Sequence, residues 1–170
     1  MKIPILICGL LYINITALAQ DPEFPKNEFI MHLKLHNGMV TNFHASPDVY
    51  VGGVQLVPQF TVVENHLRLG VIADAYYTGK KLQAAAGPTL SFKIKTIELK
   101  KFGSGGNINL SLDHLWGTGK QRLFGGGVNI DLLNFIVLGI TAHRDYNLNS
   151  WWMQGSFGFR ISKVKQPTQP

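Results

Sequence analysis

The chain has 170 residues, a formal net charge of +6 and one cysteine, Cys8. That cysteine falls within an apolar leader, so disulfide, thiol-redox and zinc-thiolate chemistry are excluded from the rest of the chain. The basic residues are dispersed, with no basic helix and no aromatic RNA-binding motif, which excludes nucleic acid as a partner, and no run of eighteen apolar residues follows the leader, so no spanning helix is expected.

Lys2 precedes the apolar run Ile3–Leu11, and Thr16-Ala17-Leu18-Ala19-Gln20 follows with small residues spaced as in an A-x-A cleavage site. This predicts a secretory signal peptide over residues 1–19, the alternative being an N-terminal anchor left in place. A lipid-anchoring signal would carry its cysteine at the cleavage point, whereas Cys8 sits in the middle of the apolar run. Residues 20–27, with Pro22 and Pro25, read as an extended lead-in. Residues 28–162 form the predicted domain, about 150 residues with the flanks being enough for one domain and not two. A flexible tail is expected over 163–170.

From Phe29 a two-residue period takes over. Phe29, Met31, Leu33 and Leu35 face one way and His32, Lys34 and His36 the other. Val54, Leu56, Pro58, Phe60 and Val62 alternate with Gln55, Val57, Gln59 and Thr61, and Pro58 predicts either a bulge or a local break in the ladder. Beyond a turn at Glu64-Asn65, Leu67, Leu69, Val71, Ala73 and Ala75 oppose Arg68, Gly70, Ile72, Asp74 and Tyr76. Thr78-Gly79-Lys80-Lys81 reverses the chain, and Leu82 to Ile94 then oppose Gln83 to Lys95. A polar, glycine-rich connection is expected over 95–106, carrying Lys100 and Lys101 at an interface. Ile108, Leu110 and Leu112 oppose Asn107, Asn109, Ser111 and Asp113, followed by a loop at 116–120. Phe124, Val128, Ile130 and Leu132 oppose Gly125, Gly127, Asn129 and Asp131. Ile136, Leu138, Ile140 and Ala142 oppose Val137, Gly139, Thr141 and His143. Last, Trp151, Met153, Phe157, Phe159 and Ile161 oppose Trp152, Gln154, Ser156 and Arg160.

Eight such runs, each near the ~9–11 residues with which a tilted strand crosses a bilayer, predict an all-β fold: an eight-stranded antiparallel up-and-down transmembrane barrel with a polar, filled interior. The short turns at Glu64-Asn65 and Asp131–Asn134 suit the periplasmic side and the longer connections after the first and seventh strands the outside. The long 95–106 connection departs from that pattern. The nearly uncharged set would face lipid. The polar set, with His32, Lys34, Arg68, Asp74, Lys93, Asp113, Asp131 and Arg160, would fill the lumen, where opposite charges and amides satisfy one another. Arg160 would find Asp131, Asp113 or Asp74. Tyr50, Tyr76, Tyr77, Trp116, Tyr146, Trp151 and Trp152 are expected as an external girdle, and Phe29, Phe92, Phe135 and Phe159 as a periplasmic one; the same rings could instead pack under the loops of a soluble sheet. Gly70, Gly87, Gly125, Gly127 and Gly158 would make room inside or mark bends.

Several strings imitate chemistry. His143-Arg144-Asp145 has the letters of a kinase catalytic loop without the rest of that fold, and Gly117–Lys120 lacks the phosphate-loop spacing. Gly125-Gly126-Gly127 fits a bent strand better than a dinucleotide turn. His143, Asp145 and Ser150 surround one external loop, the residue types an ester-cleaving site requires, yet no H-x-S-N pattern follows His143. His32, His36 and His114 could ligate a metal, but histidines two apart on a strand serve equally as lumen residues. No catalytic, cofactor or metal residue is assigned, and no cofactor is expected.

The leader, the eight alternating runs and the terminal Phe157-Gly158-Phe159-Arg160-Ile161 resemble the small OmpA/OmpX-type outer-membrane barrels, and most of all the uncharacterised outer-membrane barrels of Bacteroidetes-type bacteria. Leu35–His44 is similar to the first loop of conjugal-transfer outer-membrane barrel proteins. The tail Lys163–Pro170 departs from the family habit of ending at the last strand. The resemblance implies a monomer in the outer membrane of a Gram-negative envelope, with outer-membrane lipid and envelope or conjugation-type proteins as candidate partners. The expected function is non-enzymatic, acting through external loops in surface interaction, envelope integrity or assembly. Two alternatives stand: an outer-membrane lipid-modifying enzyme with His143 as general base, and a soluble periplasmic lipocalin-like carrier.

Overall fold

Alternation of polar and apolar residues over every run forces one question, namely what lies on each side of the sheet. The computed structural model, which describes residues 28–43, 48–99, 104–132 and 135–162, answers it by closing the sheet on itself. The strands are β1 Phe29–Thr41, β2 Val49–Val63, β3 Leu67–Thr78, β4 Lys81–Leu99, β5 Ser104–Gly117, β6 Arg122–Leu132, β7 Ile136–Asp145 and β8 Ser150–Ser162. Each pairs antiparallel with the next, and β8 pairs with β1 from Ile30↔Ser162 to Thr41↔Trp151, so the barrel has no open edge. The leader, the lead-in and the tail lie outside the described residues, as do Lys100, Lys101 and Asn134.

Local sequence accounts for the reversals. Gly79 (φ 55°) and Lys80 (φ 63°) both take left-handed backbone in the two-residue link between β3 and β4, the requirement of a type I′ hairpin turn. Asn65, Lys120 and Asn149 also have positive φ, at the β2–β3, β5–β6 and β7–β8 connections. Pro58 has its expected effect, because the β2–β3 ladder runs from Leu56↔Ala73 to Gln59↔Gly70 without partners for Val57 and Pro58. At Gly87 an added Cβ would run into the carbonyl oxygen of His114, so glycine there permits the close strand approach of a tightly coiled wall.

One boundary differs from expectation. The polar segment from Lys95 onward is strand, with β4 reaching Leu99 and β5 starting at Ser104, so the link is confined to residues 100–103. Polarity there marks the strand leaving the apolar zone rather than ending. A bulge between Lys93 and Lys95 also reverses the alternation. Lys95, expected inside, is exposed on the outer wall, and Thr96 takes the inner position, donating to Asn107 Oδ1 at 3.3 Å. Similarly, most of the Leu35–His44 stretch belongs to β1 rather than to a loop.

The two faces sort as the alternation predicts. Leu33, Leu35, Leu56, Leu69, Val71, Leu110, Leu112, Ile140, Phe157 and Ile161 are exposed, while Lys34, Gln55, Arg68, Asp74, Asn109, Asp113, Asp131, Gln154 and Arg160 are buried. A soluble sheet does the reverse.

Candidate functional site

The lumen is organised in layers. At the end that carries the chain termini, Glu28, just ahead of β1, reaches inward between two arginines. Its Oε2 accepts from Arg68 Nη2 at 2.8 Å, and its Oε1 from Arg160 Nη2 at 3.0 Å. Arg68 comes from β3 and Arg160 from β8, so one carboxylate ties three strands across the barrel mouth. Asp131 lies farther from Arg160, at 4.0 Å, and accepts from Asn109 Nδ2 at 3.1 Å. Of the acids expected to pair with Arg160, only Asp131 is near it, and Glu28 is the closer partner.

At mid-barrel, Lys34 Nζ donates to Asn129 Oδ1 at 2.7 Å. Asp113 gathers Thr89 Oγ1 at 2.5 Å, His143 Nε2 at 3.2 Å and Ser111 Oγ at 3.4 Å. A carboxylate only accepts, so the three neighbours donate. The void among these groups measures about 20 Å³, room for roughly one water. Farther along, Asp74 accepts from Gln55 Nε2 at 3.1 Å and lies 2.8 Å from His36 Nε2.

Toward the opposite end the lumen becomes apolar. Tyr76 and Trp152 meet edge to face, centroids 5.3 Å apart, amid Val51, Val57, Ile72, Leu115 and Leu123. This corrects the expected girdle: Tyr76 and Trp152 are 1% and 2% exposed and plug the barrel from inside. Their positions on the inner set of β3 and β8 already carried that signal, and their aromatic character masked it. The expected polar interior therefore holds for most of the lumen and gives way to hydrocarbon at this end. Next to the plug, Gln121 Nε2 donates to Gln83 Oε1 at 2.5 Å.

The outer wall has two dissimilar aromatic bands. Around the plugged end lie Tyr50, Tyr77, Trp116, Phe124, Tyr146 and Trp151; around the other end lie Phe29, Phe60, Phe92, Phe135 and Phe159, with no tyrosine or tryptophan among the described residues. Phe29 packs on Phe60 and Phe135 on Phe159, centroids 4.8 and 5.0 Å apart.

The residues singled out in the sequence are not brought together. His143 points into the lumen against Asp113, while Asp145 Oδ1 instead accepts the backbone N–H groups of Arg122, Asn147 and Leu148 and shapes the β7–β8 turn. Ser150 stands opposite Asp145 in the β7–β8 register. His32 and His36 are buried in the lumen, whereas His114 faces outward, packed at a tilt on Trp116 with centroids 4.4 Å apart and bonded to Tyr146 Oη at 2.9 Å. Among the described residues no three metal-ligating side chains cluster. The missed residue is Glu28, the first residue of the predicted barrel domain, to which sequence reasoning gave no role. Its signal was the lumen charge tally: Arg160 and Arg68 needed an acid at their own level.

In comparison with known proteins, no family model and no curated protein matches the chain.

Proposed function

We propose that the protein is a non-enzymatic outer-membrane barrel, exported by its leader, with a sealed interior, that acts through the loops of its plugged end in surface interaction, envelope integrity or an envelope assembly. The observation that carries this reading is the inversion of the wall: a continuous apolar exterior around a lumen of paired charges. In water, such a surface would far exceed the apolar patches a soluble monomer tolerates. From Trp151 to Phe159 the wall runs ~26 Å at ~3.3 Å per residue, or ~20 Å along the axis at a tilt of ~40°, near the ~25 Å apolar band of bacterial barrels. A carrier of apolar cargo needs a roomy apolar cavity, and the mid-lumen void is water-sized and lined mostly by polar residues.

Fractionation of cells and electrophoresis of the membrane extract test this reading. The protein is expected in the outer-membrane fraction, resistant to carbonate and high salt, and migrating faster unheated than boiled. Release by carbonate without detergent would sink it.

A further inference from the structure

The outward positions of all eight strands are nearly free of charge, and the two arginines among them lie on adjacent strands, diagonal to each other in the register, since Arg144 pairs with Phe124, two residues on from Arg122. Arg122 on β6 stands opposite Trp116 on β5, and Arg144 on β7 stands between Phe124 on β6 and Trp151 on β8. Arg144 lies over the Trp151 ring at 5.4 Å and also bonds Asn149 Oδ1. His114, packed at a tilt on Trp116 and bonded to Tyr146, completes the cluster. Asp145, the nearest acid in sequence, is turned away and fully buried. Among the described residues no carboxylate pairs with either guanidinium. Lys80, Lys81 and Lys120 raise the positive charge of the same rim, where Asp48 is the only exposed acid among the described residues.

We propose that this part of the wall binds the phosphorylated headgroup of a membrane lipid, with Arg122 and Arg144 as the phosphate ligands and Trp116, Tyr146 and Trp151 bracketing the headgroup at the interface. The inference rests on the membrane reading above. Guanidinium forks match phosphate oxygens bidentately, and the surrounding rings and hydrocarbon strengthen the attraction by excluding water. Trp116 also borders a groove of about 460 Å³ on the outer wall, lined by Val54, Leu56, Ala73, Ala75 and Ala84. A headgroup held at Arg122 can lay an acyl chain past Trp116 into that groove. Charge complementarity selects the occupant: an apolar helix or a second copy of this wall would bury both arginines without an anion.

The full-length mature protein, reconstituted into phosphatidylcholine vesicles, provides the test. Trp116 and Trp151 face outward, so a minority of bromine-labelled phosphatidic acid should quench their fluorescence at lower mole fraction than bromine-labelled phosphatidylcholine, by about tenfold in apparent affinity. The double variant R122Q/R144Q should lose most of that preference while keeping its heat-modifiable migration. K80Q/K81Q, on the β3–β4 hairpin, should keep the preference. Equal quenching by both lipids, or equal loss in the two double variants, would overturn the site, the latter assigning the effect to diffuse rim charge. Failure of the wild-type protein to resist carbonate extraction from vesicles would overturn the membrane reading, and this site with it. Insertion without lipid preference would overturn this site alone.

Discussion

Tyr76 and Trp152 meet edge to face across the lumen, their rings 84° apart, although β3 and β8 share no ladder. The contact closes the barrel at one end by packing rather than by charge. Replacing Trp152 with alanine should cost about 3–5 kcal/mol, the usual range for a buried large aromatic. A double-mutant cycle with Tyr76→Phe and Tyr76→Ala should return a coupling of roughly 0.5–1.5 kcal/mol that resides in the ring and not in the hydroxyl. Urea unfolding followed by circular dichroism measures both.

The plug and the paired charges behind it should block ion flow through the lumen. Wild-type protein in planar bilayers should show no stepwise ion conductance, whereas W152A/Y76A should show small, brief openings. Steady conductance from the wild type would contradict a sealed lumen.

Glu28 neutralises Arg68 and Arg160 together, and its side chain is only 9% exposed. Glu28→Ala removes the carboxylate that both buried guanidiniums share, and breaking such a network typically costs about 3–5 kcal/mol. Adding Arg160→Met to Glu28→Ala should recover part of that loss, because one of the two charges that shared the lost carboxylate goes with it. The midpoint of urea unfolding followed by tryptophan fluorescence should fall in the single variant and rise again in the double.

Asp113 organises the mid-lumen donors Thr89, Ser111 and His143. Asp113→Ala should destabilise by about 2–4 kcal/mol, since Thr89 and His143 lose their acceptor at once while Ser111 can still turn to the Gly127 carbonyl at 3.4 Å. Asp113→Asn, which keeps one acceptor oxygen, should cost less. If both variants unfold at the wild-type midpoint, water rather than Asp113 satisfies those groups.

Ile140 sits at the middle of β7 on the outer wall and is 74% exposed. For a barrel in a bilayer, Ile140→Arg at that level should cost about 2–4 kcal/mol. For a soluble barrel the same exposed substitution should lie within about 0.5 kcal/mol of neutral. Folding titrations in lipid vesicles separate the two directly.

The strands were legible because every run obeyed a two-residue period, and a closed barrel asks for nothing more local than that. What escaped was whatever depends on another strand. The bulge at Lys93–Lys95 leaves no mark in a polar stretch, so Lys95 read as inner. Tyr76 and Trp152 fell on the inner set by alternation, yet their chemistry suited a girdle equally well, and only the opposing strand decides. Glu28 needed knowledge of the height at which Arg160 and Arg68 lie, which follows from register. For the outer cluster the residues were visible, but Arg122 and Arg144 became neighbours only once β6 and β7 were paired.

The Glu28–Arg160 pair joins residues 132 positions apart, the first described residue of the chain and a late one. No partly zipped sheet can make it, because Arg160 arrives at Glu28 only when the eighth strand has found the first. The same carboxylate already holds Arg68, so a half-finished barrel carries an acid with one cation and a stranded arginine on its last strand. The ion pair therefore works as a latch that rewards completion, favouring the closed ring over open intermediates whose free edges would otherwise pair with other chains.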